Sequence, residues 1–494
     1  MTRRQRLTLV AAILGSGVAM IDGTIVNVAL PSIEHDLGGG LPAQQWVSNA
    51  YLLVLGSLIL IGGSLGDIYG ERRVFAFGVG AFGVFSVACA LAPTIGVLIA
   101  ARALQGAAGA LLTPSSLAII VAAFPPRERS AAIGAWTAWG GIASVVGPLA
   151  GGVIVDHVSW RWIFALNVPL VIATLALVLA AVPEAVRTDS RRVDLPGAFL
   201  CVSGLGAFVF ALIEQPRFGW SSPAIFVPLV AGVAVFAAFL AYERRAREPM
   251  LKLELFARRN FVVGNLETLF VYAGLAILFF FLVIFLQQVA GYSALRSGLT
   301  TLPVTLVMFA LSRSFGALAD RYGPRLFMGV GPLLAAGGIL LLLRTGMHTS
   351  YLGDLLPALL LFGLGLTVTV APLTAAVLAD ADGSDAGIAS AVNNAVARVA
   401  GLVGVSVIVV AGMLDGDTFA ANAASVRAFH EAIAICAALV AGGGVAALAG
   451  IVNPRGEIGA AGCAGGQLAG APEPAAGKEA GAVRMVDEPL PREA

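Results

Sequence analysis

Apolar windows of about twenty residues, long enough to cross about 30 Å of hydrocarbon, recur along the whole chain. They fall near 7–31, 43–65, 74–92, 96–123, 131–155, 163–182, 195–213, 223–241, 262–288, 297–318, 326–344, 353–379, 387–412 and 428–451. That pattern predicts an all-α integral membrane protein of fourteen spanning helices. The first window is longer than the 7–15 residues of a signal-peptide core and is interrupted by Asp22, so it reads as an uncleaved span. From about Val452 the apolar pattern stops. The stretch 452–494 is rich in Ala, Gly, Pro and Glu and reads as a disordered cytoplasmic tail.

Composition agrees with the pattern. Hydrophobic residues make up 58% and charged residues 12%, with a mean hydropathy of +0.90, outside the range of soluble domains. A net charge of +1 gives no reason to expect a nucleic-acid partner. The four cysteines show no disulfide or metal spacing. Basic residues set the orientation: with the N-terminus in the cytoplasm, eighteen fall in cytoplasmic segments before the last helix and five in outer loops. The one exception is the acidic segment Asp380–Asp385, assigned to the inside.

Polar positions within the spans carry the candidate chemistry. Asp22 stands deep in the first helix, where a bare carboxylate costs about 2.5–3.5 kcal/mol and is held only against a protein interior or a wet cavity. A proton removes most of that cost, so Asp22 is the first candidate for proton coupling, with Arg102 and Glu267 in the same set; a permanent partner for Arg102 or another buried arginine is the rival reading. Asn27 lies about 140° around the helix from it at 100° per residue, so both reach one narrow cavity only if the helix is distorted. In the fourth helix Arg102, Gln105, Gly109, Thr113 and Ser116 form one polar stripe, which faces either a substrate cavity or a carboxylate that locks helices together. In the fifth, Gly140, Ser144, Gly147 and Gly151 form a stripe of small residues that lets backbones approach closely, with Pro148 favouring a bend. This predicts a helix at the interface between two bundles.

Glu267 sits about 9 Å into its helix at 1.5 Å per residue, shallow enough to snorkel to the interface, and is either a second proton carrier or interfacial. Asn394 and Arg398, one turn apart, and Tyr272 are candidate substrate contacts. Phe279, Phe280 and Phe281 line a drug pocket or face lipid.

The chain also repeats. GSLGDIYGER (Gly63–Arg72) returns as GALADRYGPR (Gly316–Arg325), 253 residues later and eight helices on. Two six-helix bundles would leave the pair 195–241 as an insertion outside both. The predicted organisation is an N-terminal bundle over 1–186, a central pair with its linkers over 187–258, a C-terminal bundle over 259–451 and the tail.

These motifs together resemble the major facilitator superfamily, and within it the fourteen-spanner drug:proton antiporters. The loop motif Gly-x-Leu-x-Asp-x-x-Gly-x-Arg, RALQGAAGA (Arg102–Ala110), GPLAGG (Gly147–Gly152), DGTIVNVALP (Asp22–Pro31) and WRWIFALNVP (Trp160–Pro169) carry the resemblance. It implies two six-helix bundles related by a pseudo-two-fold axis plus two central helices. It further implies that Gly147, Pro148, Gly151 and Gly152 seal an antiporter against leak. Gly63, Asp67, Gly70, Arg72 and their repeats Gly316, Asp320, Gly323 and Arg325 would form a conformational latch, with a plain loop anchor as the rival reading. The expected function is export of amphipathic drugs driven by the proton gradient, without a cofactor. The expected setting is a bacterial inner membrane, with both termini cytoplasmic and the chain a monomer. An antiporter for an endogenous metabolite or siderophore shares these features, and a non-transporting sensor is the alternative outside transport. No nucleophile–base or metal constellation suggests an enzyme.

Overall fold

The computed structural model describes residues 1–183, 194–246, 249, 251, 253–379, 386–410 and 421–453. The acidic segment 380–385, the basic run 187–192 and the tail beyond 453 lie outside the described residues, as do the side chains of Asp67, Gly140, Ser144, Arg313 and Asp320.

The described regular structure is helical. The first part holds α1 (Arg3–Leu37), α2 (Gly40–Tyr69), α3 (Glu71–Ala90), α4 (Ile95–Ala123), α5 (Pro126–His157), the short α6 (Arg161–Ala165) and α7 (Asn167–Ala181). A central pair follows, α8 (Leu195–Phe218) and α9 (Pro223–Glu243). The last part holds α10 (Arg259–Ile284), α11 (Ala294–Thr300), α12 (Leu302–Tyr322), α13 (Pro324–Leu341), α14 (Leu356–Ala379), α15 (Ala386–Val410) and α16 (Ala423–Gly450). Eleven helical segments among the described residues are long and apolar enough to cross a membrane.

The helices outrun the apolar windows because their polar ends cap them. The Thr2 hydroxyl accepts from the Gln5 amide while the Gln5 side chain returns a bond to the Thr2 N–H, a reciprocal cap that carries α1 through its arginines. The repeated loops have one backbone shape. Gly70 between α2 and α3 has φ 92°, and Gly323 between α12 and α13 has φ 85°, a conformation that favours glycine.

A second repeat, absent from the sequence reading, closes each end. Arg4 of α1 and Arg72 of α3 donate to Ala181 O and Leu179 O at the end of α7. Arg259 of α10 and Arg325 of α13 donate to Gly450 O and Leu448 O at the end of α16. Cations at a helix C-terminus satisfy orphan carbonyls and suit the dipole.

The helices before α8 pack mainly on one another, as do those after α9, and α2–α15 and α5–α11 join the two groups. The aromatic positions of α10 go to the core. Phe280 and Phe281 are buried, and just beyond α10 Phe285 stacks on Phe429 at 4.1 Å.

The central pair lies outside both groups and bridges their seam. α8 packs on α2 and α15 through Leu53, Cys201, Leu205, Val209 and Leu402, and Trp46 Nε1 donates to Glu214 Oε1 at 3.0 Å. Phe226, Val227, Val230 and Val233 of α9 stay exposed. Leu205→Ala should therefore cost about 2–5 kcal/mol and Val230→Ala no more than about 0.5 kcal/mol. Thermal melts of the two purified variants compare them, and equal melting points would refute this packing.

Candidate functional site

Four helices converge on Asp22. Its side chain is fully buried and forms an ion pair with Arg102, itself 1% exposed. Gln105 Nε2 and Asn167 Nδ2 each donate to Asp22 Oδ1 at 3.0 Å. The same two amides donate to Ser86 Oγ at 2.9 and 3.2 Å. Arg102 also donates to Gln105 Oε1 at 2.6 Å and to Val47 O at 3.2 Å, and its guanidinium lies 4.3 Å above the Tyr51 ring. The carboxylate of α1 is thus enclosed by groups from α2, α3, α4 and α7. Asn167 and Ser86 escaped the sequence reading; a lone amide in the apolar stretch 163–182 was the available signal.

Of the two readings of the α4 stripe, Arg102 meets a carboxylate, Asp22. Gln105 and Gly109 are buried between helices, Gly109 against Leu55 and Tyr51, and Thr113 is half-buried. Asn27 points away from Asp22, accepting from Ser48 Oγ at 3.3 Å. α1 stays helical throughout, so no distortion brings the two together.

Glu267 does not snorkel. Its side chain is sealed, and neither carboxylate oxygen has a hydrogen-bond partner among the described residues. Neighbouring α16 packs on this stretch of α10, with the Glu267 backbone carbonyl 3.5 Å from where a Cβ on Gly443 would stand. Beside it Asn393 donates to Asn265 at 3.1 Å and Thr268 at 2.8 Å. Tyr272, Asn394 and Arg398 are half-buried.

The small-residue helix α5 is wedged between two partners. A Cβ on Gly147 would meet Thr24 and Ile21 of α1, and one on Gly151 would meet Ile25. These two glycines therefore seat α5 on α1, within one group and not between groups as the stripe suggested. The contact between groups belongs to the next residues. Gly152 lies against the backbone of Ala294 and Leu295, and Pro148 O lies 2.6 Å from a Cβ built on Gly298. Asp156, not singled out in the sequence, accepts the backbone N–H of Ala294 at 2.9 Å and of Leu295 at 2.8 Å.

Further bonds join the groups at the same end, where α1 passes to α2. Gln45 donates to Val405 O at 2.8 Å, Asn49 to Ser406 Oγ at 3.0 Å and Gln287 to Val28 O at 2.9 Å. Of the loop motif, Gly63 and Gly316 are half-buried, and Gly70, Gly323, Arg72 and Arg325 form the turns and helix-end bonds described above. The arrangement places buried ionisable groups within apolar helices and a polar seam between two helix groups.

The family model of the Major Facilitator Superfamily matches residues 12–405. The chain belongs to the major facilitator superfamily. It is a multi-pass membrane transporter and not an enzyme. The chain is 38% identical over 410 residues to the puromycin resistance protein of Streptomyces alboniger, covering 81% of this chain and 80% of that one. It is 34% identical over 416 residues to a probable actinorhodin transporter of Streptomyces coelicolor, covering 82% and 72%. Among solved structures, a peptide transporter in complex with sulfate shares the fold, with a TM-score of 0.66 at 15% identity over 90% of this chain and 94% of that one.

Proposed function

We propose that this transporter exports amphipathic drugs or related small organic molecules in exchange for protons, by alternating access. The observation that carries the reading is the sealed Asp22–Arg102 pair. With Asp22 charged, the pair and its amide donors are satisfied. A proton on Asp22 leaves the Arg102 guanidinium buried without its counter-charge, and breaking such a pair costs about 3–5 kcal/mol. A rearrangement that brings Arg102 a new partner or water relieves that cost, which ties protonation to a change of access state. Glu267 is a second proton carrier, since a proton removes the cost of burying its bare charge.

In this reading fourteen spans form two six-helix bundles over 1–186 and 259–451, and residues 187–258 hold the inserted pair. The matched arginine bonds at α7 and α16 support the two-fold arrangement. Both termini are cytoplasmic in a bacterial inner membrane, so the end where α1 meets α2 is the outer end, closed in this state. The loop motif is the inner latch. The chain acts as a monomer and needs no cofactor, because the proton gradient supplies the energy, about 2.3 kcal/mol per charge for each 100 mV. Similarity to a probable actinorhodin transporter favours a second reading, export of an endogenous metabolite.

Proton-release fluorescence in inverted vesicles, against a panel of dyes, antibiotics and metabolites, tests the proposal. At least one compound should dissipate the pH gradient only when the transporter is present. No response across the panel, with the protein shown to be in the membrane, counts against it.

A further inference from the structure

Asp22 and Arg102 neutralise each other, and Glu267 is sealed in the packing. Among the described residues one interior cation is left over. Arg398 stands midway along α15, about 18 Å from either end at the rise of an α-helix, a depth at which a cation is kept only against a partner or a wet cavity. Its guanidinium has no hydrogen bond or ion pair among the described residues.

The direction of the side chain is fixed from two sides. Its Cβ lies 2.9 Å from where a Cβ on Gly56 of α2 would stand. Tyr51 of α2 and Tyr272 of α10 both lie within electrostatic reach of Arg398. Arg398 therefore points into the seam between the two helix groups. Asn394, one turn earlier on the same face, is half-buried like Arg398, so neither side chain is sealed in the packing. A half-buried Tyr272 adds an aromatic wall. A planar guanidinium with five donors binds carboxylates and other oxyanions at two points. Cargo that brings a negative charge meets the unpaired cation; cargo that brings a positive charge meets repulsion in a low dielectric.

We propose that Arg398 makes the central site selective for anionic amphipaths, aromatic molecules bearing a carboxylate, phenolate or sulfonate that pair with its guanidinium while their rings lie on Tyr272. This deepens the exporter reading and rests on it for the existence of a cargo site; the seam is where Arg398 places that site.

Fluorescein and an esterified, cationic rhodamine, xanthene dyes of similar size and opposite charge, test it by fluorescence anisotropy on the full chain in lipid nanodiscs. Wild type should bind fluorescein at least about tenfold more tightly than rhodamine, the size of one charged hydrogen bond. Arg398→Gln should lose about tenfold or more for fluorescein and nothing for rhodamine, and Arg398→Lys should retain part of the preference. The wild-type preference and the Lys variant decide the matter if the Gln variant does not fold. Equal or tighter binding of rhodamine by wild type, binding of neither dye, or an equal loss for both dyes in Arg398→Gln overturns the proposal. Proton-driven export of rhodamine alone would overturn anion selection and leave the exporter reading standing. Tight, Arg398-dependent fluorescein binding without proton-driven movement of any compound would support the anion site while sinking the exporter reading.

Discussion

Asp22→Asn should abolish proton-driven transport and destabilise the fold. The Asp22 carboxylate accepts from Arg102, Gln105 and Asn167 in a site closed to solvent. An amide keeps the shape but not the charge, leaving the Arg102 guanidinium, 1% exposed, without its counter-ion. Stranding one member of a buried pair costs about 3–5 kcal/mol, which should appear as a clear fall in melting temperature. A purely structural lock predicts the same fall, so a second variant separates the two roles. Asp22→Asn with Arg102→Gln removes both charges together, and replacing a whole buried pair is often near neutral. The double variant should regain most of the lost stability and still fail to transport. Recovery of proton-driven transport along with stability would make the pair a structural lock only.

Gly152→Leu should stop transport, while Val153→Leu on the same helix should leave it close to wild type. The atoms that would meet a Cβ at Gly152 are the Leu295 Cα and N and the Ala294 carbonyl, backbone that cannot swing aside as a side chain can. Val153 is 46% exposed and accepts added bulk. Overpacking costs about 1–3 kcal/mol. Here it falls on the α5–α11 contact that holds the two groups together at one end, so it opposes one access state in particular. A shift of 1.4 kcal/mol changes a population ratio tenfold. Gly147→Leu and Gly151→Leu press on α1 within one group and should lower the melting temperature before they change access. Transport by equally expressed variants reads the difference. Wild-type export by Gly152→Leu would mean that this seam does not move.

How far the sequence reveals this molecule depends on the kind of contact. Apolar windows place the helices because lipid demands about twenty apolar residues wherever the chain crosses. The repeated loop is legible because Gly70 and Gly323 answer the same backbone demand. The Asp22–Arg102 pair is half-legible: two opposite charges in apolar helices need partners, but nothing in the spacing says that they find each other. Direction is what periodicity leaves out. Gly147, Gly151 and Gly152 read as one small-residue motif, yet they face two different helices, because one residue step turns an α-helix by about 100°. Glu267 looks shallow enough to reach the interface; its isolation arises from the packing of α10 against its neighbours, α16 among them, more than 150 residues away in the chain. Asp156 and Arg259 look like loop-end charges until the structure supplies the helix ends they cap.

Proton movement driven by cargo alone is the most direct test of coupling at Asp22. Proteoliposomes carrying a pH dye in the lumen would receive an outward gradient of a cargo identified in the vesicle panel, with no imposed pH gradient or potential. Wild type should move protons inward as cargo leaves, in proportion to the cargo gradient, and Asp22→Asn should move none. Cargo exchange by wild type with no change in lumenal pH, or undiminished proton movement in the Asp22→Asn variant, would contradict a proton-coupled exporter built on this carboxylate.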